Sequence, residues 1–401
     1  MTTASDSAAA NADTDLVSRV LAAIRRVVPE SGAAVALHEP EFAGREWDYV
    51  RDCLDSGWVS SAGTYVERFE RALAERCGVS EAIATVNGTA ALKVALQVAG
   101  VAPGDEVLVP ALTFVATANA VTYLGAVPHF VDSETSTLGV SPAALEDWLR
   151  VACERVSGAL RNRATGRRVR AVVPVHVFGH PVDMDALNEV AVRHRVVVVE
   201  DATEALGTLY RDRPAGALGR LAALSFNGNK IVTTGGGGAI LTDDSSLARR
   251  ARHLTTTARV THRFSFDHDE VGYNDRLPGL NAALGCAQLE RLDDFIARKR
   301  ALARRYAEAL ASVRGVRFFV EPQGARANYW LNALLLEEDE PAVLESLLER
   351  GHCIGIGMRP VWRLMHRLPM YQSCPRMPLP TAQWLERRLV NLPSSAALAD
   401  V

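Results

Sequence analysis

Four stretches of this sequence set reactive side chains beside unusual backbone. In LSFNGNKIVTTGGGGAI (224–240), Lys230 stands between a short apolar run and four consecutive glycines. Among 44 basic residues only Lys93, Lys230 and Lys299 are lysines. Arginine stays protonated in proteins, whereas a lysine can lose its proton in a dry pocket and condense with a carbonyl as a Schiff base. Polyglycine allows close backbone approach at an entropic cost, so this lysine reads as either a chemical residue or a surface charge. In VVVVEDATEALG (196–207), an apolar run ends in Glu200-Asp201. That sets a carboxylate at the carboxyl edge of a sheet, where open α/β sheets bind ligands; alone it reads as a solvated strand end. In VNGTAAL (86–92), Gly88 and Thr89 open a helix whose free N–H groups and dipole favour an anion, unless Asn87 is merely its cap. The fourth stretch, DEVGYNDRLPGLNAALGCAQL (269–289), is by itself a polar loop leading into a helix.

These residues need a scaffold, and the hydrophobic periodicity describes one. Leu16, Val17, Val20, Leu21, Ile24 and Val28 recur at helical spacing, as do Phe69, Leu73 and Cys77 in a helix over 66–77. From residue 82 the chain alternates: strand 82–86, helix 89–100, strand 106–110, helix 114–124, strand VPHFV, helix 142–151, strand VRAVVPVHV, helix 183–195, strand VVVVED, then short strands at 222–226 and 239–242. Strands alternating with helices of this length predict a mostly parallel α/β sheet covered on both faces. After about 275 a long helix through ALGCAQLERLDDFIARKRALARRYAEALASV gives way to short strands and Pro-rich loops, the pattern of a smaller α+β domain. The expected organisation is an N-terminal extension with a short helix (1–33), a large α/β domain (34–274) and a small C-terminal domain (275–401).

Composition narrows the partners. With 401 residues, 48% apolar and 23% charged, the chain is an ordinary globular protein able to bury a large core. A net charge of −3 without a basic stripe gives no reason to expect nucleic acid. Arg161, Arg163, Arg167, Arg168 and Arg170 cluster in a stretch read as a solvated loop. No apolar run reaches the length of a membrane span, and MTTASDSAAANADTD lacks the features of a secretory signal, so a cytoplasmic location is expected. Cys53, Cys77, Cys153, Cys286, Cys353 and Cys374 have no metal-ligand or disulfide spacing and read as buried thiols in a reducing compartment; no metal site is expected. Residues 1–14 have the composition of a disordered segment.

Taken together and in order, WVSSAG, NGTAAL, PALTFVATANAV, VHVFGHPVDMDAL, EDATEALG, SFNGNKIVTTGGGG and GYN resemble the DegT/DnrJ/StrS family of sugar aminotransferases, within the fold type I enzymes of pyridoxal 5′-phosphate (PLP). The resemblance spans about His38 to Ser395. It implies a homodimer in which Lys230 carries the cofactor, Asp201 pairs with the pyridine nitrogen and Phe114 stacks on the ring. Gly88, Thr89 and Ser225 would hold the phosphate, Glu204 would lie near the ring hydroxyl, and Asn274 would reach the phosphate of the neighbouring subunit. LHEPEF, GWVSSAG, FVDSETSTLGV, RPVWRLMHRLPMY and NLPSS are similar to the 4-aminotransferases of legionaminic-acid and bacillosamine type. That narrower likeness implies amino transfer from L-glutamate or L-glutamine to C4 of a nucleotide-linked 4-keto-6-deoxy-N-acetylhexosamine, with Trp58, Ser60, Arg359 and His366 as candidate sugar contacts. Asp275 departs from the aromatic residue common after GYN, near the expected substrate mouth. A dehydratase, a 3-keto sugar transaminase and a non-catalytic PLP- or sugar-binding regulator are the alternatives. Lys230 argues against the dehydratases, which resemble this chain but carry histidine there.

Overall fold

A computed structural model describes residues 16–28, 30 and 34–400; the disorder expected of residues 1–14 lies outside the described residues. The large sheet has seven strands: β1 (Glu81–Thr85), β2 (Glu106–Pro110), β3 (Val127–Val131), β4 (Val169–Val172), β5 (Val197–Asp201), β6 (Leu221–Ser225) and β7 (Gly238–Thr242). Their spatial order is β1-β7-β6-β5-β4-β2-β3, and only β7 runs antiparallel to its neighbours. Alternate side chains enter two different cores. Ala82, Ala84, Ala222, Leu224, Ala239 and Leu241 pack into one, while Ile83, Leu221, Ala223 and Ile240 pack into the other. A sheet buried on both faces explains why its strands read as continuous apolar runs rather than as an alternation.

The small domain is a four-stranded sheet of β8 (Val316–Phe318), β9 (Asn332–Leu336), β10 (Arg359–Pro360) and β11 (Leu389–Leu392), in the order β8-β9-β11-β10. The helix over 16–25 belongs to its core, with Val20, Ile24 and Val28 buried among Tyr306, Leu334 and Leu392. The long helix expected after 275 is two helices, Gly279–Glu290 and Leu292–Leu310. Arg291 between them leaves helical angles (φ −101°, ψ 0°), and its guanidinium binds Glu41 and Asp294. The helix thus breaks at Arg291, where local periodicity alone would continue it. The first of the two packs Ala282, Ala283, Cys286 and Ala287 against Phe69, Leu73 and Phe226 of the large domain.

Two other expectations change. The arginine-rich stretch is not a plain loop, because Ala159–Asn162 pairs with Cys153–Val156 as a hairpin. Arg168 grips Asp105 through two nitrogens and Arg170 donates to the Ala99 carbonyl, so both are fastened to the domain. Four cysteines are buried, but Cys353 is exposed and Cys374 is half-buried.

Candidate active site

The carboxyl ends of β1, β2, β5 and β6 converge on one edge, where the antiparallel β7 starts at Gly238 opposite both Thr85 and Ser225. Gly238 is glycine for want of space: a β-carbon there would lie 2.5 Å from the Asn87 carbonyl group. Gly88 is confined in the same way, since its β-carbon would meet that of Ser225 at 2.8 Å. Gly88 begins the helix Gly88–Val98, and the Asn87 side chain caps it by accepting from Ala90 N at 2.8 Å. The capping role therefore does not exclude an anion site at the same helix start. The cap uses one N–H and leaves the backbone of Gly88 and Thr89 facing a cavity of about 780 Å³.

That cavity is lined by Gly88, Thr89, Phe114, Asp201, Glu204, Ser225, Lys230 and Arg359, all singled out in the sequence. Asp201, at the end of β5, is buried, and its oxygens accept from Thr117 Oγ1 (2.7 Å), Thr203 Oγ1 (2.7 Å) and Thr203 N (3.2 Å). Beneath it Glu200 is fully buried and accepts from His176 Nε2 (2.9 Å) and from the backbone of Gly216 and Leu218. Val182 N donates to His176 Nδ1 at 3.2 Å, which fixes the ring so that Nε2 carries the proton toward Glu200. Glu200 is thus the internal anchor of the strand end, and Asp201 is the carboxylate presented to the cavity.

Lys230 is largely buried. Its Nζ lies 3.8 Å from the centre of the Trp330 ring and 3.5 Å from Glu204 Oε1. Trp330 is held by a bond from its indole N–H to the Asn229 carbonyl (2.7 Å). Glu204 accepts from Phe178 N at 2.9 Å, and Phe178 adopts a left-handed φ of 56° to bring that N–H round. Burial pushes the Glu204 carboxyl up to about 7, against the opposing pull of Lys230. Lys230 is thus held in the cavity wall by one long ion pair and one aromatic face.

Trp58, Ser60, His366 and Asn274 do not line this single-chain cavity. Trp58 and Ser60 are exposed, and the Ser60 carbonyl accepts from Gly279 N at 2.7 Å. His366 lies in a short turn, Met365–Arg367, with Nδ1 buried and lacking a partner among the described residues. Asn274 is exposed on a bridge to Thr256. Asp275 forms an ion pair with Lys93 at 2.9 Å, and Lys93 lies over the Tyr273 ring. Cavity residues that sequence reasoning did not single out include His38, Thr117, Asn229, Trp330, Trp362 and Asn391. His38 and Trp362 sit inside the quoted LHEPEF and RPVW segments, which was the available signal.

These groups suit pyridoxal phosphate: a buried amine, a hydrogen-bonded carboxylate, and an aromatic face at Phe114. A glycine-floored helix start, which a β-carbon would obstruct, suits its phosphate. Fold and site together define a fold type I PLP-dependent transferase. A match to the DegT/DnrJ/EryC1/StrS aminotransferase family covers residues 40–401, and the chain belongs to that family of PLP-dependent sugar aminotransferases. It is 38% identical over 368 residues to GDP-perosamine synthase of Caulobacter vibrioides, covering 91% of this chain and 94% of that one. The structure is similar to those of the aminotransferase TlmJ from Streptoalloteichus hindustanus (TM-score 0.82, 28% identity, 91% and 94% covered) and of DesV from S. venezuelae in complex with a ketimine intermediate (0.78, 32%, 88% and 90%). Among the described residues, no helix is long and apolar enough to cross a membrane.

Proposed function

We propose that this sugar aminotransferase moves an amino group from L-glutamate or L-glutamine to C4 of a nucleotide-linked 4-keto-6-deoxy sugar, in a homodimer with shared sites. The observation that carries the reading is Lys230 Nζ in the cavity wall, 3.5 Å from a carboxyl raised to about 7. When bound, PLP supplies an aldehyde that condenses with amines and a ring that draws electrons from the carbon beside the nitrogen. Lys230 would hold the cofactor and, with its Nζ released, would move a proton to and from that carbon. Asp201, oriented by Thr117 and Thr203, keeps the pyridine nitrogen protonated. The backbone at Gly88 and Thr89, with Ser225, would hold the phosphate, and Phe114 would cover the ring. Glu204 would lie by the ring hydroxyl. Asn274, exposed on its own chain, would reach the phosphate in a partner subunit.

The resemblance to a GDP-perosamine synthase supports a nucleotide-linked acceptor. An acetamido group on the sugar rests on the likeness of LHEPEF, RPVW and NLPSS to the 4-aminotransferases named above. Incubation with GDP- and UDP-linked 4-keto-6-deoxy sugars, with and without an acetamido group, decides between them. The expected product has one carbonyl oxygen replaced by an amino group, detected by mass spectrometry. If no nucleotide 4-keto sugar is aminated while a 3-keto sugar is, the C4 assignment is wrong.

A further inference from the structure

Lys230 takes its two contacts from different parts of the fold. Glu204 follows β5 of the large sheet, and Trp330 stands just before β9 of the small one. The side chain of Asn328 joins them. Its amide nitrogen donates to the Glu204 carbonyl at 2.9 Å and to the Leu206 carbonyl at 3.0 Å, while its amide oxygen accepts from Trp330 N at 2.8 Å. Asn328 N donates to Thr208 Oγ1 at 3.1 Å, and that hydroxyl donates to the Gly179 carbonyl at 2.8 Å. Asn328 is fully buried and does not line the cavity, so it acts only through other residues.

The backbone on both sides of this amide departs from the usual regions. Tyr329 has a left-handed φ of 49°, and the bond from Trp330 N to the Asn328 oxygen spans it. Opposite, Phe178 at φ 56° delivers its N–H to Glu204 Oε2. Gly179 comes next, where a β-carbon would collide with the Asn328 oxygen. Left-handed backbone is costly for a residue with a side chain and persists where surrounding bonds over-determine it. Two such residues meet at one amide, and each serves a contact of Lys230: Tyr329 serves Trp330, and Phe178 serves Glu204. Neither contact directs the amine by itself, being a 3.5 Å approach to a carboxyl and a 3.8 Å approach to a ring. The spacing between the two does, and Asn328 sets that spacing. An apolar side chain of the same volume would fill the space and leave the Glu204 carbonyl and Trp330 N untied.

We infer that Asn328 is a positioning residue for Lys230, aiming Nζ at the cofactor by tying Glu204 to Trp330; this rests on Lys230 carrying the cofactor. The test compares two molecules that share ring and phosphate. PLP can condense with Nζ, forming a C=N bond and releasing water, whereas pyridoxamine 5′-phosphate has an amine in place of the aldehyde and cannot. Cofactor-free protein is mixed with PLP and growth of the visible band is timed, while calorimetry gives the affinity for pyridoxamine phosphate. Asn328→Leu should slow the band about ten- to a hundredfold, the scale of an ångström-sized misplacement of a reacting group. Its pyridoxamine phosphate constant should keep the wild-type value. Asn328→Ser keeps an oxygen for Trp330 N but loses the donors to Glu204 and Leu206, so it should slow the band less, and it carries the test should the leucine variant not fold. Asn332→Leu is the control for a purely structural loss, because Asn332 is equally buried but donates to Ser394 Oγ at 3.2 Å. It should leave the rate of the band unchanged. Native rates in the Asn328 variants would overturn the inference. So would slowing matched by Asn332→Leu, or matched by an equal loss of pyridoxamine phosphate affinity. A visible band that survives in Lys230→Ala would instead refute the reading of Lys230 itself.

Discussion

The environment of single side chains sets the sharpest expectations. Lys230→Ala should abolish turnover and the visible band of lysine-bound cofactor, because no other cavity side chain supplies an amine; a far-ultraviolet spectrum like the native one would confirm that the fold persists. Asp201→Asn keeps the shape but removes the charge, and should lower turnover by roughly 10²-fold or more, as measured by steady-state kinetics. Glu204 links the site to stability. Its folded value of about 7 lies above that of a free glutamate, about 4.3. The folded state therefore binds the extra proton between those values, and cofactor-free protein should lose stability as pH rises through that window, by about 4 kcal/mol. Urea unfolding at intervals from pH 5 to 8 should show that slope, and Glu204→Gln should remove it. Lys230, Asp201 and Gly88 were legible in the sequence because each is announced by its own strand end, turn or helix start. Trp330 carries no such local mark, and Thr117 and Asn391, though inside the quoted PALTFVATANAV and NLPSS segments, are not set apart there by a turn or helix start. They reach the cavity because distant elements pack, and spacing along a chain does not record that.

Among the elements, the glycine run shows how backbone proximity is written into sequence. Close approach was a correct expectation for GGGG, and the structure locates it at Gly238 against Asn87, with Gly235 taking a positive φ of 77°. Gly238→Ala should destabilise the protein by about 1–3 kcal/mol through overpacking. It should also weaken PLP binding, because the displaced backbone is the same Asn87-Gly88 turn that faces the cavity; thermal melting and a PLP titration measure the two effects. Strand positions were readable because runs of buried β-branched residues have few other uses. The strand order was not, since pairing β7 between β1 and β6 depends on contacts far apart in sequence. The break at Arg291 escaped as well, since no proline or glycine marks it in LERLDD.

At the scale of the whole molecule, Asn274 supplies the test of assembly. It is exposed and outside its own cavity, as a residue serving a partner subunit would be. Mixed dimers of Lys230→Ala and Asn274→Ala chains should regain activity, because one of their two sites then holds both residues. Tagged mixed dimers as inactive as their parents would refute shared sites. Two segments far apart in sequence also meet, for Glu39 N donates to Ser395 Oγ across 356 positions while Asp201 and Lys230 lie between. Synthesis on a ribosome proceeds from the N-terminus at about 5–20 residues per second. Lys230 and its glycine turn therefore emerge well before Asn391 and Ser394, and the wall around His38 is the last part of the cavity to be assembled. The contacts of Leu37 and Glu39 with Ser394 and Ser395 can form only after nearly the whole chain has been synthesised.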